Sequence, residues 1–518
     1  MKKSLLTIFS FAIGGVILAQ TPEDGLRYSW QTATGTARVQ SLGGASGALG
    51  GEISTMFSNP ANIGFYKTGD LVVSGGLNFN KTTSTYFGSS GPAQKSNTGF
   101  LGTSGIVLGK ERYGNGSVKS TAFALGINRV ADFNGTVRFN GRNTMSSMSE
   151  KFLDDVKGID PNTVAAGNGY QFGPSLALNT YWIDYDKNLP GANKYFSNAA
   201  KIAAKGGVDQ DELLKTSGGI TEFAIAGAAN IDDRVFIGGT IGLPTLRYSS
   251  NRSFLEMDPD ENDATNGFDH AELREELTTT GAGINAKLGV VIKPTEMVRL
   301  GFTVHTPTFY TLKDNYWSYV KTDRENYAPS PTLDRVLYMA SDDKTFPGAG
   351  VFDYNMRTPY KLMGSLALMF GDVTNVASQR GFLTADVEYV NHKTTRFSSG
   401  NGNSSDNSYL KDLNSTIQDY YKGAVNARAG IELKFNTFMF RGGGAYYGSP
   451  YANDNLKSNI YQATGGIGYR NRGVFVDLGY VQSFGTQVYF PYHVNKGSYA
   501  ADIKNNSSRL VLTLGFKI

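Results

Sequence analysis

No cysteine occurs in the 518 residues, so a disulfide framework, a thiolate metal site and a lipid-anchored N-terminal cysteine are all excluded. Histidine is nearly absent as well: His270, His305, His392 and His493 are scattered, with no zinc spacing. Charged residues reach only 18%, and a net charge of +4, part of it in the first residues, gives no reason to expect nucleic acid as a partner. After residue 18 no apolar run approaches the roughly 18 residues a membrane helix needs. The chain has no Gly-x-Ser-x-Gly elbow, no phosphate-cradling loop and no dinucleotide fingerprint, so no catalytic residue, cofactor or metal is expected and the chain does not read as an enzyme. The acidic stretch Asp258-Pro259-Asp260-Glu261-Asn262-Asp263 carries Asp263 where a calcium loop requires glycine, and reads as a solvated loop.

What is present points outward from the cytoplasm. Met1-Lys2-Lys3 is a positive start, an apolar stretch follows to Leu18, and Ala19 precedes Gln20; residues 1–19 therefore read as a signal peptide. The rest is rich in glycine (63), tyrosine (29) and phenylalanine (31). An exported, cysteine-free chain of this composition is a soluble β protein or a membrane barrel. Periodicity separates the two. At the C-terminus Leu510, Leu512, Leu514, Phe516 and Ile518 alternate with Arg509, Val511, Thr513, Gly515 and Lys517. In the stretch 425–435, Val425, Ala427, Ala429, Ile431, Leu433 and Phe435 alternate with Asn426, Arg428, Gly430, Glu432 and Lys434. These runs approach ten residues or more, the length a tilted strand needs to cross a bilayer, whereas sandwich strands are about half as long. The fold class expected is all-β: a transmembrane antiparallel barrel of about fourteen strands. Short connections at 231–233, 293–296, 436–437 and 470–472 read as periplasmic turns. Long ones at 141–216, 256–270, 313–351, 398–423 and 487–506 read as extracellular loops. The expected location is the outer membrane, multi-pass, with both termini periplasmic and outer-membrane lipid and lipopolysaccharide as surroundings.

Residues 20–68 remain outside the wall. The string Ala37-Arg38-Val39-Gln40-Ser41-Leu42-Gly43-Gly44-Ala45, followed by Phe57-Ser58-Asn59-Pro60-Ala61-Asn62-Ile63-Gly64-Phe65, resembles the N-terminal hatch of the FadL/TodX family. Leu300-Gly301-Phe302 leading to Thr306-Pro307-Thr308, and Arg357-Thr358-Pro359-Tyr360, are weaker echoes of it. The resemblance implies a division into signal (1–19), hatch (20–68) and barrel (69–518, with the large loop 141–216), and a hatch motif at Asn59, Pro60, Ala61, Gly64 and Phe65. It also implies a function: uptake of hydrophobic small molecules, long-chain fatty acids or aromatic hydrocarbons. In that family external loops capture the solute, the hatch moves, and release is lateral, at a kink in the third strand. Independently of it, the lumen-facing charges Lys287, Arg299, Asp386, Glu388, Arg428, Glu432, Lys434, Arg441 and Asp477 are of both signs, which suits pairing with each other and with a plug better than an open pore.

The third strand alternates through Phe123, Leu125 and Ile127 and breaks at Asn128-Arg129. Two readings stand: a kink that opens the wall, or an arginine that has simply reached the headgroup layer. In the large loop, Phe152, Tyr170, Phe172, Leu176 and Trp182 are candidates for ligand capture, for packing the loop onto the barrel mouth, or for docking a partner protein. Two functions therefore remain open, a channel for hydrophobic molecules and a FadL-like barrel serving as a docking or secretion component with a protein partner at the extracellular loops.

Overall fold

The structure, a computed structural model, describes residues 20–113, 115–190, 193–260, 265–327, 333–346, 350–371, 379–400, 404–456 and 458–518. The expected signal segment and residues 261–263 of the acidic stretch lie outside them. Fourteen antiparallel strands close into one barrel: β1 (Asp70–Tyr86), β2 (Gln94–Leu101 and Ser104–Glu111), β3 (Val118–Asp132 and Gly135–Asn143), β4 (Val208–Ile231), β5 (Val235–Met257), β6 (His270–Ile292), β7 (Val298–His305 and Phe309–Asp323), β8 (Val351–Arg357 and Lys361–Gly371), β9 (Gln379–Asn391 and Arg396–Ser399), β10 (Gly423–Phe435), β11 (Phe438–Tyr447), β12 (Ile460–Asn471), β13 (Val474–Tyr489) and β14 (Ala501–Lys517). Closure is made by β1 against β14, in register from Asp70↔Lys517 to Thr85↔Asp502, so no edge is left at the seam. Among the described residues no helix is long and apolar enough to cross a membrane.

Period-two patterning sets which way each strand faces. On β1 Leu71, Val73, Leu77 and Phe79 are exposed on the outside while Val72, Ser74 and Asn78 are buried within. The other strands repeat this, giving an apolar outer belt of Ile237, Ile241, Leu288, Phe302, Val387, Phe440, Leu478 and Leu512. Three of the tight connections are hairpins with loop residues at positive φ, Asp232 and Asp233 at 51° and 55°, Asn436 at 58°, and Arg472 and Gly473 at 46° and 84°, the geometry that matches strand twist.

The strands run further than their apolar faces suggest. β4 has 24 residues and β5 and β6 have 23 each, about twice what a bilayer crossing requires. The five expected external loops shorten accordingly. Above the apolar belt the outer faces turn polar and are laced by ion pairs, Arg138–Asp211 at 2.8 Å, Arg142–Asp209 at 2.9 Å and Arg274–Glu272 at 2.7 Å. The ladder thus continues after the hydrophobic signal has ended.

Two sets of residues occupy the inside. Ahead of β1 in the chain come α1 (Pro22–Arg27), α2 (Ala37–Ser41) and two 3₁₀ turns, Ile53–Phe57 and Pro60–Phe65. Between β9 and β10, where an external loop was expected, α7 (Ser404–Tyr420) folds down instead. Its Leu410, Leu413 and Ile417 are buried with Leu26, Tyr28, Leu312 and Phe397. Helix α7 rests on α1: Tyr409 and Tyr421 donate hydrogen bonds to the carbonyls of Gln20 (2.7 Å) and Pro22 (3.0 Å). Residues 144–207 form a small domain over the mouth, with helices α3 (Met148–Asp155), α4 (Pro161–Ala165), α5 (Pro174–Asn179) and α6 (Asn198–Lys205).

Candidate functional site

The N-terminal segment is held by the lumen wall through buried polar contacts. Arg38 lies between Glu432 (3.0 Å) and Glu52 (3.8 Å), and Arg441 joins Glu432 (2.7 Å) to Asp477 (2.6 Å). Burial opposes the charge on Arg38, but the carboxylates of Glu432 and Glu52 outweigh it and hold the guanidinium above its ordinary value. The Ser46 and Gly47 amides donate to Asp386 at 2.9 and 3.2 Å, and Arg299 donates to the Leu49 carbonyl at 2.6 Å. Lys287 pairs with Glu222 at 2.5 Å, and Arg428 lies 3.6 Å from Glu388. A buried ion in so dry a place needs such a partner to remain charged.

Asn59 organises the turn that carries it. Its Oδ1 accepts from the Ala61 amide (3.2 Å) as an N-cap, and its Nδ2 donates to the carbonyls of Gly47 (2.7 Å) and of Val290 in β6 (3.3 Å). Pro60 follows as the first residue of the turn, where its missing N–H costs nothing. The wall makes room: a Cβ on Gly289 would lie 1.9 Å from Asn59 Oδ1, and one on Gly43 (φ 67°) would lie 2.4 Å from the Gly444 carbonyl oxygen. Ala61 is buried against Phe236 and Val291. Gly64 approaches the Ala229 carbonyl, and Phe65 stacks on Phe236 with ring centroids 3.7 Å apart.

The wall is incomplete at β2 and β3. Their ladder runs from Glu111↔Ser120 up to Ser104↔Ile127 and stops there. β2 is interrupted at Gly102-Thr103, and β3 is irregular against β4 between Arg129 and Ala131 and breaks at Phe133-Asn134. Above that point β3 runs against the inner face of β1: Asn80 donates to the Asn134 carbonyl (3.1 Å), Thr82 to Thr136 (2.5 Å) and Ser84 to Arg138 (2.6 Å). The upper part of β3 has therefore turned inward, behind β1 and away from the upper edge of β2. Asn128 lies at this turn, 3% exposed; it accepts from Thr103 of β2 and donates to Thr34 of the N-terminal segment, each at 2.9 Å. Arg129, on the outward face, folds back to the Gly218 carbonyl at 2.5 Å.

Behind the gap lie three adjoining cavities. One of about 240 Å³ is lined by Leu26, Arg27 and Trp30, by Phe100 of β2, and by Arg129, Val130 and Phe133 of β3. A second, of about 410 Å³, shares Arg27, Asn78, Phe133 and Arg509 with it and extends along β13 and β14. A third, of about 120 Å³, continues past Thr34 and Asn128 to Lys287, His305 and Glu388. Arg509 donates to Asn78 (2.8 Å) and Gln40 (3.2 Å), and no carboxylate lies within ion-pair distance of it among the described residues.

The loop residues singled out from the sequence fall in one place. Phe152, Tyr170, Leu176 and Trp182 belong to a cluster with Phe254, Leu273 and Val320, and Phe172 packs on Tyr316 and Phe352 at 5.2 and 5.9 Å. In this conformation these side chains are covered by a core that the domain shares with the barrel mouth, so a solute reaches them only if that core opens. The Thr-Pro pairs interrupt neighbouring strands at one height: Thr308 and Thr358 bridge the breaks in β7 and β8, at 2.8 and 3.0 Å. Asp269, His270 and Asp323 bring ligand atoms within 4.8 Å of one another, but Arg335 already bridges the two carboxylates at 3.5 and 2.6 Å. Three features were not foreseen: α7 in the lumen, Arg509 in the cavity wall, and the break in β2.

These elements define a class, a closed barrel of the outer-membrane type whose lumen is filled from both ends and whose wall is unzipped at β2–β3. No family model and no curated protein matches the sequence. Among solved structures the chain is similar to a FadL homologue of Pseudomonas aeruginosa, at 15% identity over 94% of this chain and 99% of that one, with a TM-score of 0.50. It is also similar to the toluene transporters TbuX of Ralstonia pickettii (13%, 94% and 99%, TM-score 0.49) and TodX of Pseudomonas putida (14%, 95% and 99%, TM-score 0.48). The chain thus has the fold of the FadL-type barrels.

Proposed function

We propose that this chain, exported and inserted in the outer membrane with both termini in the periplasm, is a channel for the uptake of small hydrophobic molecules. Solute is captured at the external loops, passes along the N-terminal hatch, and leaves sideways between β2 and β3. The observation that carries this reading is the ladder that ends at Ser104↔Ile127 directly in front of cavities bordered by the N-terminal segment. Leu26, Trp30, Val130 and Phe133 offer apolar surface there; of the cations in the lining, Arg27 is paired with Asp24 and Arg129 lies 3.8 Å from Asp132, which leaves Arg509 as the one without an ion pair among the described residues. That combination favours an amphiphile with an acidic head, a long-chain fatty acid, over a bare aromatic hydrocarbon. Asn128 is placed to couple hatch to gap, because its hydrogen bonds reach both Thr34 and Thr103.

The alternative on the same fold, a docking component of protein export, finds less support, since the large loop turns its aromatic residues into a core shared with the barrel mouth. The test is mass spectrometry of molecules extracted from the purified barrel, with uptake measured for the protein and for an Asn59→Ala/Pro60→Ala variant. A co-purifying fatty acid whose uptake fails in the variant supports the channel. An empty barrel that brings down a stoichiometric protein partner overturns it.

A further inference from the structure

The outer face carries an arrangement that transport does not use. Lys81 on β1 lies directly opposite Lys95 on β2, and Lys504 on β14 lies diagonal to Lys81, whose direct partner there is Asn506. All three are exposed on the outward face. Cross-strand neighbours are about 5 Å apart at Cβ and diagonal ones about 7–8 Å, so three like charges stand side by side, a pairing that by itself weakens a sheet. None of the three forms a salt bridge or side-chain hydrogen bond among the described residues; Asp502, on the same face above Lys504, lies beyond ion-pair distance. Elsewhere on the outer face the pattern differs: Arg138, Arg142 and Arg274 are each matched by a carboxylate, and Lys313 stands opposite Asp353.

The height of the row is informative. On β1 the outward residues are apolar from Leu71 to Phe79 and the next is Lys81; on β14 they are apolar from Phe516 to Leu510, then Ser508, Asn506 and Lys504. The lysines therefore cap the apolar belt at its outer margin, where headgroups lie. Beside them a groove of about 980 Å³ is lined by Lys81 and Lys504, by Lys422, which is paired with Asp454 at 2.7 Å, and by Tyr461 and Phe484 along the wall. A surface with cations above an apolar trough has the shape of an amphiphile with a multiply anionic head.

We propose that this face is a binding site for an outer-leaflet lipid whose headgroup carries two phosphates, with Lys81, Lys95 and Lys504 holding the phosphates and the groove taking an acyl chain. Each lysine near such a head strengthens binding about fivefold, and the anion removes the repulsion within the row. The site depends on the barrel standing in a membrane but not on the transport path, so either reading can fail without the other.

The experiment is native mass spectrometry of the full-length barrel, titrated with bisphosphorylated lipid A, its monophosphorylated form, and inorganic phosphate as competitor. A Lys81→Gln/Lys95→Gln/Lys504→Gln variant is expected to lose about tenfold to a hundredfold in apparent affinity, and removal of one phosphate to weaken the wild type severalfold. A Lys215→Gln/Lys313→Gln/Lys321→Gln control keeps the wild-type affinity, a Lys81→Arg/Lys95→Arg/Lys504→Arg variant restores binding and shows that the wall has folded, and millimolar phosphate does not compete. Equal loss in both glutamine variants, retention of affinity in the first, or full competition by phosphate alone overturns the proposal.

Discussion

Replacing Asn59 by alanine tests whether the N-terminal segment is held as the geometry says. The side chain is fully buried and makes three kinds of contact: the cap to the Ala61 amide, the bond to Gly47, and the reach to Val290 in the wall. Loss of the cap costs about 1 kcal/mol and loss of the buried donor a further 1 kcal/mol or so. The Gly47 carbonyl is not orphaned, because Asn62 Nδ2 still donates to it at 3.0 Å, so the full desolvation penalty is not incurred. The expected sum is about 2 kcal/mol, confined to the segment. In hydrogen exchange read by mass spectrometry this amounts to roughly thirtyfold faster exchange across 50–66, where the amides of Gly50, Gly51, Asn62 and Tyr66 are bonded within the segment. Peptides from β10 and β11 should be unchanged, since their ladder is independent of Asn59. Acceleration below threefold in the segment, or equal acceleration in β10 and β11, would refute the reasoning.

The wall side of the same contact offers a second test: Gly289→Ala drives a methyl to within 1.9 Å of Asn59 Oδ1 and should destabilise the segment by about 1–3 kcal/mol, while the double variant with Asn59→Ala loses less than the sum, measured by the same exchange experiment. Because the chain contains no cysteine, Thr34→Cys/Asn128→Cys is a clean tether between segment and β3; oxidation should stop uptake and reduction restore it, and uptake that continues with the bond formed rules out movement of the segment there. Ile417→Ala, at 0% exposure, should cost about 2–5 kcal/mol of the local stability of α7 and expose residues 404–422 to protease while the barrel keeps its melting temperature.

The barrel was readable because an outer face against lipid must be apolar at every second residue; Val425 to Phe435 shows this without interruption, and the pairing of β10 with β11 from Phe435↔Phe438 onward follows the turn read at Asn436-Thr437. Strand tops were not readable, since β4, β5 and β6 continue above the lipid where the constraint on the outer face lapses. Helix α7 left a signal that went unused: Leu410, Leu413 and Ile417 stand at helical spacing, but in a stretch bounded by serine, asparagine and glycine that resembles a loop. The gap in the wall was half visible. Arg129 marks the place where β3 departs from its alternation, whereas the break in β2 at Gly102-Thr103 replaces no apolar residue by a charge and leaves no trace in the pattern. Arg509 looked like any inward residue of β14. Its meaning comes from the want of an ion pair among the described residues, and partners from distant parts of the chain are not visible in local periodicity.

Closure from both ends constrains any path through the molecule. The N-terminal segment fills the lower lumen with ion pairs that span from Arg38 to Asp477, and α7 lies on α1 above it through Tyr409, Tyr421 and Ile417. A straight route would require breaking both contacts and parting the buried Arg38–Glu432 pair, which takes from Arg38 its nearest carboxylate at a cost of several kcal/mol. A sideways route requires less: the β2–β3 ladder is already open above Ser104, and what joins the two strands there is side-chain hydrogen bonds, from Thr103 to Asn128 and from Thr98 to Asp132, with Asn128 also tied to Thr34. With the neutral bonds of Asn128 worth about 1 kcal/mol net apiece, thermal motion suffices to release them, whereas it does not release the charge network beneath. On the proposed route the wall is therefore the element that yields, with Thr34 released from Asn128, while the Arg38–Glu432 pair keeps the rest of the segment in place.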